Sequence, residues 1–105
     1  MSNFDLVLKN GRVVNPVNKL DEVTDIAIKG NKIVSIECDI DPHKTNKMID
    51  VSGKVVIPGV IDPHVHIRNS GHRNMAKVGV ITAVDVAAPM GDVVQSTKRY
   101  GTGPY

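Results

Sequence analysis

The chain has no tryptophan, one phenylalanine and two tyrosines among its 105 residues, so it lacks the aromatic platforms on which single-stranded nucleic acids stack. Its single cysteine, Cys38, excludes an internal disulfide framework and fits a reducing compartment. No run of like charge occurs. The 13 basic and 11 acidic residues are spread along the chain for a net charge of +2, which points to neither nucleic acid nor an anionic membrane surface as a partner. The opening segment MSNFDLVLKN carries Asp5 and no long apolar core, so neither a signal peptide nor a membrane anchor is expected, and a cytoplasmic protein is. A chain this short buries a modest fraction of its surface, which makes it one small domain or a piece of a larger one.

What is present follows two patterns. Up to residue 57 the apolar residues alternate with polar ones, and the breaks between them carry hairpin chemistry. In FDLVLKNGRVVNP the dipeptide Asn10-Gly11 tolerates positive φ, so a type I′ turn is expected between strands over 5–9 and 12–15. TDIAIKGNKIVSIE places Ile26 and Ile28 on one face and turns at Gly30-Asn31, and KMIDVSGKVVIPG turns at Ser52-Gly53. Pro16, Pro42 and Pro58 punctuate the connections. The expectation is a small β-sandwich domain over residues 1–57, built from about six short strands.

After Pro58-Gly59 the apolar stretches VIDPHVHI and VGVITAVDVAAP are nearly continuous, as in strands covered on both faces of a parallel sheet. Between them NSGHRNMAKVG allows a short helix near 71–78, with Ser70 as N-cap and Gly79 as stop. GDVVQSTKRYG reads as a second helix, with Asp92 in its first turn and Lys98 and Arg99 in its last. The overall fold class is therefore mainly β with an α/β part. Residues 58–105 are expected to open a strand-helix repeat, the first two units of a parallel sheet or of an incomplete TIM-like barrel.

His64 and His66 are one residue apart, so on a strand both imidazoles project to one face, close enough to bind one ion. Imidazole suits zinc and similar divalent metals. Two polar residues on a strand face are the plain alternative, but the pair stands at the C-terminal end of a strand in a strand-helix series, where barrel enzymes assemble their active sites.

The stretch PGVIDPHVHIR resembles the start of the barrel in the amidohydrolase superfamily, particularly its dihydroorotase, hydantoinase and deacetylase-like members. AKVGVITAVDVAAP is similar to the second barrel strand of the same enzymes, and LVLKNGRVVNP and DIAIKGNKIVSI resemble strands of the small β-sandwich that precedes it. The resemblance implies a metal-dependent hydrolase of cyclic amides or N-acyl C–N bonds that works through a metal-activated water. It implies His64 and His66 as metal ligands, zinc as the preferred divalent metal, and Asp62 as a hydrogen-bonding group that orients the site. Arg68 matches a substrate-carboxylate contact of the dihydroorotase-like branch, with a solvated loop arginine as the alternative. Asn69 and the loop NSGHRN depart from that branch's pattern.

The other candidates read more plainly. His43 lies in the polar loop DIDPHKTNK and faces solvent, His72 is placed either to approach the mouth of the site or, the plainer reading, to take an exposed or capping role, and Cys38 is an ordinary small apolar residue. Asp85, inside an apolar strand, needs a partner or a cavity to line. The lysine, further histidines and aspartate that complete the family's site belong to later barrel strands, so no catalytic residue is assigned within these 105 residues. The chain alone is expected to be inactive, either a fragment of a longer enzyme or a truncated gene product. The partner implied is a small-molecule amide substrate, and the incomplete barrel predicts a homo-oligomer. The alternative function is a non-catalytic β-sandwich module for self-association or partner binding.

Overall fold

The computed structural model of the chain describes residues 3–66 and 71–86, with backbone alone for Gly71 and His72. The chain divides into two compact units, Met1–Pro58 and Gly59–Tyr105.

The first unit is one mixed sheet of five strands: β1 (Leu6–Asn15), β2 (Leu20–Lys29), β3 (Lys32–Glu37), β4 (Met48–Asp50) and β5 (Val55–Val56). The order is β3-β2-β1-β4, with β5 also paired to β1. β1 runs antiparallel to β2 and parallel to β4 and β5. Val7, Ala27 and Ile40 form the buried cluster, and Phe4 packs against it.

The turn expected at Asn10-Gly11 is absent, because β1 is continuous through it. Leu8 faces Ile26 and Gly11 faces Thr24, so Lys9 and Asn10 together stand against Asp25 in a β-bulge. Asn10 takes the left-handed conformation, φ 62, and its N–H donates to the Asp25 carboxylate at 2.9 Å. A residue that tolerates positive φ serves a bulge as well as a turn. The true link from β1 to β2 is a 3-10 turn at Pro16–Asn18, where Asn15 accepts from the Val17 N–H at 3.2 Å.

The turn at Gly30-Asn31 is present, with Gly30 at φ 59 and its N–H donating to Asp5 at 2.7 Å. Ser52-Gly53 also turns, with Gly53 at φ 73, yet no hairpin results. β4 leaves β1 after Asp50, closes a tight turn in which the Lys54 N–H donates to Val51 O at 3.0 Å, and β5 rejoins β1 opposite Arg12. The excursion lies alongside the bulge of β1, so the two strands act as one interrupted strand.

In the second unit β6 (Val60–Val65), α1 (Gly71–Lys77) and β7 (Val80–Asp85) make a strand–helix–strand unit with the strands parallel. Gly79, at φ 90, stops the helix, and its N–H donates to Ala76 O at 3.1 Å. The Ser70 cap and the helix expected around Asp92 to Arg99 lie outside the described residues. Mainly β with one α/β unit is thus the observed class. Coverage on both faces is not observed: Ile61 and Ile81 are 64% and 71% exposed. Among the described residues the seven-residue α1 is the only helix beside this two-stranded sheet. Among the described residues no helix is long and apolar enough to cross a membrane.

Candidate metal centre

β6 carries the candidate ligands, and its pairing with β7 explains their placement. The pair is pinned at both ends, by Val60 N–H on Gly79 O at 3.0 Å and by Val86 N–H on Val65 O at 3.2 Å. At the ends Val60 faces Val80 and Val65 faces Asp85, but between them Ile61 faces Thr82 and Asp62 faces Ala83. One extra residue therefore sits on β7 at Ile81, and one on β6 within Pro63-His64. Pro63 has no N–H to give a ladder. His64 turns its own N–H to the Asp62 carboxylate, 3.1 Å away. The aspartate expected to orient the site thus bonds the backbone of the first histidine.

The His64 and His66 rings meet edge to face, with centroids 5.3 Å apart and planes at 76°. Both side chains are exposed, and Asp62 is half-buried. A zinc–nitrogen bond of about 2.0–2.1 Å puts an imidazole centroid about 3.2 Å from the ion, and two such rings at a tetrahedral angle stand about 5.2 Å apart. The observed spacing fits that requirement, and the donor type suits a borderline-soft divalent ion. Among the described residues, no group of three or more His, Cys, Asp or Glu side chains gathers as a metal cage.

Arg68 lies outside the described residues, and His72 is described by backbone alone, within α1. His43 is exposed in a 3-10 turn, Pro42–Lys44, of the first unit. Asp85 is half-buried at the end of β7, opposite Val65. Cys38, read as an ordinary small apolar residue, is exposed and free, with Sγ 3.9 Å from both Val23 O and Thr24 Oγ1. The strand ends at Glu37 and leaves the thiol at the rim.

The residue that sequence reasoning passed over is Asp25, only 2% exposed. It accepts from Lys9 Nζ at 2.8 Å and from the N–H groups of Asn10 and Ile40 at 2.9 and 3.0 Å. Burial pushes its carboxyl up, but the Lys9, Asn10 and Ile40 bonds outweigh burial and hold it below the ordinary aspartate value. Its signal was an acid two residues from Ala27 in TDIAI, on the phase that faces the core. On the surface Arg12 grips Asp21 in a two-pronged pair at 2.7 and 2.8 Å, which lowers the Asp21 carboxyl.

No family model matches the chain. Among curated proteins it is 38% identical over 92 residues to the dihydroorotase of Clostridioides difficile (strain 630), covering 78% of this chain and 22% of that protein. It is 41% identical over 80 residues to the dihydroorotase of Streptococcus thermophilus (strain CNRZ 1066), covering 74% and 19%. The chain thus spans about a fifth of the length of these relatives. Among solved structures it matches the L-hydantoinase (dihydropyrimidinase) from Arthrobacter aurescens with a TM-score of 0.73 at 28% identity, over 93% of this chain and 25% of that one. A D-aminoacylase variant in complex with copper chloride matches with a TM-score of 0.67 at 35% identity, over 83% and 20%.

Proposed function

The chain belongs to the amidohydrolase superfamily and matches its N-terminal region, and from that premise we propose that it supplies the first two metal ligands, His64 and His66, of a hydrolase that cleaves cyclic amides or N-acyl C–N bonds. The observation that carries the reading is the pair of imidazoles at 5.3 Å, at the C-terminal end of a strand in a strand–helix–strand unit. Relatives named dihydroorotase, and structures named hydantoinase and D-aminoacylase, support the substrate class.

Zinc is the proposed ion; when bound it polarises a carbonyl and acidifies a water. The chain's own contribution is placement. Asp62 accepts the His64 N–H, and the one-residue spacing of the histidines brings their rings edge to face. Arg68, two residues beyond His66, is proposed to meet a substrate carboxylate through its planar guanidinium fork. Attack and proton transfer need groups beyond the two histidines, because a catalytic zinc usually has three protein ligands.

The test is calorimetric titration of zinc into the purified chain and into the His64→Ala, His66→Ala double variant, with circular dichroism as the control for folding. Stoichiometric binding by the parent and none by the variant is expected. Equal binding by the two folded proteins would overturn the assignment.

A further inference from the structure

β3 is the last strand on its side of the first sheet, so among the described residues its outer edge has no neighbour. The turn at Gly30-Asn31 joins β2 to β3 through two residues, which makes Lys29 and Lys32 the closing hydrogen-bonded pair. Antiparallel pairs alternate in kind, so at Ile28–Ile33 and again at Ile26–Ile36 the N–H and C=O of the β3 residue point away from β2. Ile33 and Ile36 thus offer donors and acceptors to the open edge. Their side chains, 62% and 39% exposed, share the face of Ile26 and Ile28, because Val34 between them is the extra residue of a bulge.

The charges at the two ends of β3 are badly placed within their own sheet. Lys32 stands directly opposite Lys29, and Glu37 directly opposite Asp25, whose carboxylate already holds Lys9. Like charges in that relation repel. Lys32 and Glu37 are both exposed, and each is open to a partner of opposite sign.

We infer that the edge of β3 is an interface for a second copy of this chain, added antiparallel about a two-fold axis that passes through the bulge at Val34-Ser35. KIVSIE set against its own reverse places Ile33 opposite Ile36 of the second copy, and Lys32 opposite its Glu37. Each isoleucine pair exchanges both of its N–H···O bonds, and each end joins a lysine to a glutamate. The bulge makes the register possible. With Val34 absorbed, Ile33 and Ile36 share a face and a pair type, as a two-fold pairing of one with the other requires. A lysine and a bulge commonly guard an edge against strand addition, but here the opposite signs at the two ends oppose only the parallel arrangement, which would set lysine against lysine. The interface lies wholly in the first unit and is independent of the metal reading.

The experiment uses the full chain, with sedimentation equilibrium for mass and NMR-detected amide exchange at Ile33 and Ile36. The parent should pass from monomer to dimer as concentration rises, and exchange at those two amides should slow by roughly tenfold or more in the dimer. Lys32→Glu makes both ends of β3 negative and Glu37→Lys makes both positive, so either variant alone should dimerise roughly tenfold less tightly. Each change also removes a like-charge pair inside the sheet, so the fold is retained, with circular dichroism as the control. An equimolar mixture of the two variants again sets positive ends against negative ones and should recover the association of the parent. A parent that stays monomeric, an association that leaves exchange at Ile33 and Ile36 unchanged, or a mixture no better associated than either variant alone would overturn the inference.

Discussion

Gly11 and Val56 are in contact that leaves no room for a side chain: a Cβ at Gly11 would stand 2.9 Å from Val56 Cγ2, and equally close to Val51 Cγ2. The glycine lets the interrupted strand β4–β5 close onto β1. Gly30 is needed for a different reason, since nothing lies within 4 Å of its would-be Cβ but its φ is 59. Gly11→Ala should therefore cost on the order of 2 kcal/mol by overpacking, and Val56→Ala added to it should recover part of the loss. Gly30→Ala should cost about 1 kcal/mol through backbone strain, with no rescue by any neighbour. Urea unfolding of the three variants distinguishes the cases; no recovery on adding Val56→Ala to Gly11→Ala would contradict the packing account.

Asp25→Ala removes the acceptor shared by Lys9, Asn10 and Ile40 and should destabilise the first unit by on the order of 3 kcal/mol. The measurement is the thermal midpoint, and a loss near zero would show that water replaces the carboxylate.

The same group sets a pH dependence. Its carboxyl is held low in the folded state, so its contribution is present above the ordinary aspartate value of about 3.9 and is lost as pH falls through the lower folded value. Lys9 is held high, chiefly by its bond to Asp25, so its share persists up to the ordinary lysine value of about 10.4 and is lost as pH climbs through the raised one. Stability of the parent should be flat between these limits with respect to this pair and fall on the acid side. Asp25→Asn should flatten that acid limb, and an unchanged limb would assign it to other carboxylates.

Zinc should stabilise the parent by mass action, by about 2.7 kcal/mol at a hundredfold excess over the dissociation constant. Chelation should reverse the gain, and the His64→Ala, His66→Ala variant should show none. A zinc-induced shift of equal size in that variant would place the binding elsewhere.

Val60, Ile61, Ile81 and Val84 are 46–71% exposed on a sheet of two strands, and Val78 beside them is 77% exposed. Exposed apolar strands with open edges favour self-association. Light scattering should give a mass above the 11.3 kDa of one chain, rising with concentration. A constant monomer would remove the homo-oligomer expected from the sequence.

Local chemistry was legible and pairing was not. Gly30-Asn31 had one outcome, because a positive-φ glycine between two alternating runs of suitable length makes a hairpin. The strand–helix–strand order after Pro58 and the shared face of His64 and His66 were legible for the same local reason. Asn10-Gly11 had two outcomes, and the choice was made by Asp25, fifteen residues away, whose carboxylate takes the N–H that a bulge exposes. Ser52-Gly53 turned as expected, but its flanking strands chose β1 over each other, a decision that rests on the edge left open beside β1. The paired register shifts of β6 and β7 leave no trace in composition or period, since both strands remain apolar in either register.

Asp25 also bears on the order of events in folding. Its bonds reach fifteen residues back to Asn10 and fifteen forward to Ile40, so they close only after β1 has met β2 and the chain has returned across the sheet beyond β3. A contact that needs both excursions complete belongs to the far side of the folding barrier. Removing it is expected to leave the refolding rate nearly unchanged and to speed unfolding, which stopped-flow measurements would record as a shift confined to the unfolding arm. The buried carboxylate would then govern how long the first unit stays folded, with little influence on how quickly it forms.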